Sequence, residues 1–242
     1  MSLSRLLTHT RPELESLNVP AQPSPFPGFI LFLSASNAQE RAYTAYACGD
    51  TLDEAWQRAQ DDLQRWASQQ SRQPVWLRVD LVDKIQTLRW DALQEKLGKT
   101  KRNYFRFGLS FTPDFKQPIL EQEINANALM YHGTEGVATP NAANLAHYGR
   151  WRFGNALRWP DEPQQLIWRF NTRSLFSDGE QVYPIEFNGR NAGYRQLTNW
   201  QEEALDPMIF SATDYLARQV KKSGRYHYGW FPCFDRPIPT YN

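Results

Sequence analysis

Between Tyr104 and Phe111 apolar and polar positions alternate: Phe105, Phe107, Leu109 and Phe111 share one face, Tyr104, Arg106, Gly108 and Ser110 the other. A period of two with one apolar face predicts a strand buried on one side. Gly108 leaves room on the second face for another backbone or a ligand to come close, and Pro113-Asp114 ends the run. From Pro118 the spacing lengthens. Leu120, Ile124, Ala128 and Tyr131 recur at helical intervals, predicting a helix over 118–132 that stops at Gly133. Its polar side carries Glu121, Asn125 and His132, with Glu123 and Asn127 paired one turn apart.

The same two periods organise the rest. Gly28–Ser34 reads as a buried strand, with Arg41–Cys48 as its hairpin partner across Asn37-Ala38-Gln39. Thr51 and Glu54 form a capping box ahead of a stripe of Leu52, Ala55, Trp56, Ala59, Leu63, Trp66 and Ala67, which predicts an amphipathic helix anchored by two tryptophans against a sheet. Val75–Val82 alternates, with Leu77, Val79 and Leu81 inward and Trp76, Arg78 and Asp80 outward. Asp91–Leu97 predicts a short helix stopped by Gly98, and a further helical stretch lies near Asn141–His147. Leu166–Phe170 and Val182–Phe187 predict two strands joined through Asp178-Gly179. Asp206-Pro207 predicts a last helix with Asp206 as N-cap, Leu216 and Val220 inward, and Gly224 as its stop.

Strands and helices in this order predict an α+β fold: a mixed or mainly antiparallel sheet covered by helices, with a second β-hairpin plus helix region. Four stretches follow from the pattern. Residues 1–27 form a Pro-rich N-terminal arm, 28–135 an α+β core, 136–224 a second α+β subdomain, and 225–242 an aromatic and Pro-rich tail.

Composition narrows the function classes. The chain of 242 residues carries 27 Lys+Arg against 26 Asp+Glu, a formal charge of +1, so no global field draws it to nucleic acid or an anionic membrane. A hydrophobic content of 41% argues against disorder. Cys48 and Cys233 are the only cysteines, which excludes a disulfide framework and a Cys-based zinc site; whether the two pair is left open. No run of about 18 apolar residues occurs, so no membrane association is expected and a cytoplasmic setting is the simplest expectation. The chain contains no G-x-G-x-x-G, P-loop, G-x-S-x-G or H-E-x-x-H, and its histidines are scattered; no cofactor and no metal are expected.

Three groups of residues remain as candidates for chemistry. Glu121 and Glu123, with Glu186, supply an acid/base pair in one reading and the solvated face of an amphipathic helix in another. Asn125, Asn188, Arg190 and Trp230 are candidate contacts for a hydroxylated ligand, because flat aromatics suit the C–H faces of a sugar and amides or guanidinium its hydroxyl rim. Lys99, Arg102 and Arg106, beside Lys96, Lys101 and the strand aromatics, form either an anion or nucleic-acid platform or a basic edge that discourages strand pairing. Nucleic acid is the less favoured, since alternate aromatics of a strand point inward.

Six of the last eighteen residues are aromatic. The segment YHYGWFPCFDRPIPTYN resembles the lead-in to helical-toroid carbohydrate-active domains such as those of glucuronyl epimerase-like proteins. That resemblance implies an N-terminal accessory domain with catalysis in a further domain after Asn242. The expectation is an accessory or binding domain handling a polysaccharide or sugar precursor. The alternatives are a standalone enzyme with a Glu pair and a nucleic-acid-binding module.

Overall fold

The computed structural model of the chain describes residues 2–38, 42–99, 107–127, 142–185, 201–226, 229–231 and 236–238. Helix α1 (Leu3–Glu13) starts where the Ser2 hydroxyl accepts a hydrogen bond from the Arg5 amide, and a 3₁₀ turn (Leu14–Leu17) extends it to Asn18 in the left-handed conformation. Leu3, Leu6, Leu7, Leu14 and Leu17 are all buried. The N-terminal stretch, expected as a Pro-rich arm, therefore begins as a helix whose leucines enter the core.

The expected hairpin is present. Strands β1 (Phe29–Ser36) and β2 (Tyr43–Gly49) pair antiparallel, Leu31 opposite Ala47 and Ser34 opposite Thr44. Helix α2 (Leu52–Ala67) follows, with the Thr51 hydroxyl accepting from the Glu54 amide at 3.2 Å. The returning Glu54 carboxylate takes the amide of Asp50, one residue before the cap, at 2.9 Å. Strand β3 (Trp76–Arg89) continues seven residues beyond the expected end at Val82 and runs into α3 (Trp90–Lys99). Strand β4 (Gly108–Ser110) and helix α4 (Glu121–Asn127) occupy part of the stretch predicted as strand and helix; residues 101–106 and 128–141 lie outside the described residues. Helix α5 (Ala142–Phe153), strands β5 (Leu166–Ser177) and β6 (Val182–Pro184), helix α6 (Leu205–Gln219) and a two-stranded pair, β7 (Gly229–Phe231) with β8 (Arg236–Ile238), complete the order.

The main sheet has six antiparallel strands in the order β2-β1-β3-β5-β4, with β6 also pairing with β5. Strand β5 follows β3 from Leu166 opposite Arg89 to Ser177 opposite Leu77. One sheet therefore spans both sides of the boundary expected near residue 135. The fold is α+β, as the order of periods indicated.

Because successive side chains point to opposite faces, the sheet has two different surfaces. On one, Leu31, Leu33, Ala45, Leu77, Val79, Leu81 and Leu175 meet the leucines of α1 and Ala55, Trp56, Ala59 and Leu63 of α2. Tyr43 stacks on Trp66 with ring centroids 4.8 Å apart and donates to Asp62 at 2.9 Å. Burial, helped by that carboxylate, pushes the Tyr43 phenol up to about 12. The opposite surface begins apolar, where Ile30, Phe32, Val82 and Phe170 are covered by Phe115 and Leu120. A third cluster joins α3, β4, α4 and α5 through Trp90, Leu93, Phe107, Leu109, Ile124 and Leu145. Trp159 packs edge-on against Trp90 and Phe111 in that cluster.

Helix α6 departs from expectation at both ends. Its cap is Ala204, with no side chain closing it, and Leu216 and Val220 are exposed instead of inward. Of the described elements, only the 3₁₀ turn preceding it packs on it to any extent, so among the described residues its apolar stripe is left exposed.

Candidate functional site: a polar cleft between the sheet and helix α4

Past the Phe32–Phe170 patch, the second surface of the sheet turns polar. Ser34 and Ser36 of β1, Thr44 of β2, Arg78 and Asp80 of β3, and Thr172 and Ser174 of β5 share it, as the strand registers require. Asp80 was expected to face outward. It does leave the leucine face, but the face it joins is also covered, and Asp80 is fully buried.

A buried carboxylate is tolerated only when fully paired, and Asp80 is. Arg78 donates to it through Nε and Nη2, each at 2.8 Å, Thr172 Oγ1 at 3.0 Å and Ser174 Oγ at 2.5 Å. Burial alone would lower the Arg78 guanidinium. The Asp80 carboxylate, with a smaller contribution from Glu121, overcomes this and holds it above its ordinary value.

Helix α4 closes the other side. Glu123 caps its own helix by accepting the Leu120 amide at 2.8 Å, as a residue at the third helical position does in a capping box. Its second oxygen accepts from Tyr148 and Arg152 of α5. Both charged partners are about nine-tenths buried. Arg152 also reaches the Thr44 carbonyl at 3.4 Å, which ties α5 to the sheet edge.

Between these two ion pairs lies a cavity of about 380 Å³. Its walls are Trp76 and Phe176, whose rings tilt together with centroids 6.4 Å apart. Its floor is Ser34, Ser36 and Thr44, with the Ser34 and Thr44 hydroxyls 3.0 Å apart, and Gln122 and Glu123 of α4 overhang it. The buried Gln122 Oε1 has no hydrogen-bond partner among the described residues. In chemical terms the cleft offers a flat aromatic wall, several hydroxyls, an unsatisfied acceptor, and charges that already neutralise each other.

The sequence-derived candidates distribute unevenly. Glu123 lines this cleft, and the Glu121 carboxylate adds a small charge effect that favours the Arg78 guanidinium. Asn125 falls in α4 and Lys99 ends α3, but the described residues do not include their side chains; Trp230 lies in β7 under the same restriction. Arg102, Arg106, Glu186, Asn188, Arg190 and Cys233 lie outside the described residues. Lys96 and Arg169 flank the buried ring of Phe107, with Lys96 Nζ 5.2 Å and the Arg169 guanidinium 5.1 Å from its centroid. That ring is therefore no free stacking platform. Sequence reasoning passed over Trp76 and Arg78 as outward residues of a strand. The one signal for them was polar and aromatic residues facing a surface that a sheet of this width also has to cover.

No group of three or more His, Cys, Asp or Glu side chains able to hold a metal occurs among the described residues, and none of their helices is long and apolar enough to cross a membrane. Comparison with protein-family models, with curated proteins and with solved structures found no match to this chain.

Cys48 sits on the same surface, beneath Phe115. Burial, with Asp114 nearby, pushes its thiol up to about 11 from an ordinary 9.0. A thiol held there keeps roughly one hundredth of the ordinary thiolate near neutrality. In a Cys233→Ser background, alkylation of Cys48 at about pH 8 is expected to run ~100-fold slower than in denaturant. Equal rates in the two conditions would contradict this burial.

Proposed function

We propose that this chain is a non-catalytic binding module whose cleft takes a neutral hydroxylated ligand of sugar size. The observation that carries the reading is the pairing, in one cleft, of the Trp76–Phe176 wall with the Ser34, Thr44 and Gln122 polar groups. A pyranose presents an apolar C–H face to an aromatic ring and donor hydroxyls at its rim, and the volume fits one or two rings. Neutrality follows from the electrostatics. Arg78 is matched by Asp80 and Arg152 by Glu123, while Glu121 adds a further negative charge near Arg78. An anionic ligand would find no uncommitted cation among these residues.

This reading deepens the accessory, carbohydrate-related role that the tail's resemblance implies, with catalysis in a further domain after Asn242. A cytoplasmic setting fits the free, half-buried Cys48 thiol. The acid/base alternative has weaker support. A general acid needs a carboxyl able to exchange a proton with substrate, and Glu123 is committed to an amide, a phenol and a guanidinium.

The test is a titration of the intact chain with a panel of neutral and uronic sugars, read by ligand-observed NMR. At least one neutral sugar is expected to bind. Trp76→Ala should weaken it about fivefold, the worth of one ring contact of about 1 kcal/mol. Uronates should bind more weakly than their neutral counterparts. A panel without hits, or binding indifferent to Trp76→Ala, removes the proposal.

A further inference from the structure

Among the described helices, α6 leaves its apolar face the most exposed. Leu205, Met208, Ile209, Ala212, Tyr215 and Leu216 recur at three- and four-residue intervals and so form one stripe along it. Ile209 is 56% and Leu216 53% exposed. An unsupported helix of this length is marginal in water, and helices of folded proteins draw their stability from a covered apolar face. A contiguous exposed apolar stripe marks an interface.

The charges say what covers it. Glu202, Glu203 and Asp206 gather at the N-terminal end, whereas Lys221 and Lys222 follow the C-terminal end. Ala212 lies midway: Glu202 and Lys222 are equally far from it along the chain, as are Glu203 and Lys221. A second copy turned through a two-fold axis beside Ala212 would set each acidic end against the partner's basic end. It would also bring Met208 and Ile209 level with Tyr215 and Leu216. The small Ala212 side chain lets the two helices approach closely at the axis, and antiparallel macrodipoles add to the match. A parallel pair would instead oppose like charges at both ends.

We propose that α6 is a self-association surface through which two copies of this chain pair in antiparallel, two-fold-symmetric fashion. One helix per partner falls short of a standard interface, so the dimer is a weak one that forms at micromolar concentrations.

Sedimentation equilibrium of the full chain over about 1 to 300 μM tests this. The expected result is a concentration-dependent dimer that Ile209→Glu abolishes. Because Ile209 is exposed, near-ultraviolet circular dichroism of the variant should remain that of the parent. Lys221→Glu with Lys222→Glu should weaken dimerisation about tenfold, since several exposed charge pairs turn repulsive together. Adding Glu202→Lys and Glu203→Lys to that variant should restore it. A dimer indifferent to Ile209→Glu overturns the surface, and failure of the four-residue charge exchange to restore pairing overturns the antiparallel arrangement. A chain that stays monomeric throughout overturns the proposal outright. That holds also if α6 instead carries the chain onto vesicles of phosphatidylcholine and phosphatidylglycerol in flotation assays.

Discussion

Replacing Asp80 by alanine is expected to cost this protein about 3–5 kcal/mol, the range seen when one member of a buried ion pair is removed. The loss is larger than that of four hydrogen bonds to water-exposed groups, because Asp80 is fully buried and the Arg78 guanidinium it holds is only one-fifth exposed. Without the carboxylate, Arg78 keeps its charge, and Thr172 and Ser174 lose their acceptor in a site with little water to replace it. For a chain of this size, 1 kcal/mol corresponds to about 2–4 °C, so a fall of roughly 10 °C in thermal midpoint is expected by calorimetry. A second arm separates charge from packing. Arg78→Met combined with Asp80→Leu removes both charges at similar volume and should recover much of the loss. If Asp80→Ala melts within a degree or so of the parent, or the double substitution is as damaging as the single, the buried-pair account is wrong. Because Arg78 lines the cleft and Asp80 holds it in place, Asp80→Ala should also weaken any ligand that the Trp76 wall binds.

Gly108→Ala should be nearly as damaging for the opposite reason: nothing is lost, but there is no room. A Cβ on Gly108 would come within 2.3 Å of Cζ of Phe170 and 2.8 Å of the Ile119 carbonyl oxygen. Neither neighbour can retreat cheaply. Phe170 stacks on Phe32 at 5.7 Å and touches Phe115 at 5.5 Å, all three rings being fully buried. The Ile119 carbonyl is fixed by the Leu109 amide at 2.9 Å, and Ile119 N–H donates back to Leu109 at 2.7 Å. Overpacking a close-packed core costs about 1–3 kcal/mol and sometimes more. Here β4 and the Ile119 segment must separate, so the upper part of that range is expected, with a midpoint roughly 6–12 °C lower. Phe170→Leu in the Gly108→Ala background shortens the clashing ring and should recover part of the loss. A Gly108→Ala midpoint equal to the parent's would show that β4 is not held against β5 as described.

These two residues illustrate how differently sequence and structure speak. Gly108 was legible as a site of close approach, since a glycine within an alternating strand has few other uses. The identity of the neighbour was not, because Phe170 is 62 residues away and reaches β4 only through the β3–β5–β4 order. Asp80 was legible only as the polar phase of an alternation. The period of two says which residues share a face, but not whether that face meets solvent. Glu123 shows the same limit. Its place on the polar side of a helix could be read, whereas its commitment to Arg152 and Tyr148 depends on where α5 docks.

By itself the sequence determined whatever is set within a few residues: the β1–β2 hairpin, the Thr51 cap and apolar stripe of α2, the alternation of β3 and β4, and hence the α+β class. Each rests on local backbone geometry, where spacing alone fixes direction. Only the tertiary structure decided that α1 belongs to the core, that β5 lies beside β3, and that Ser34, Thr44, Trp76, Arg78 and Gln122 enclose one cleft. Those placements come from contacts between residues far apart in the chain, chosen by mutual burial and charge pairing, which no local period encodes.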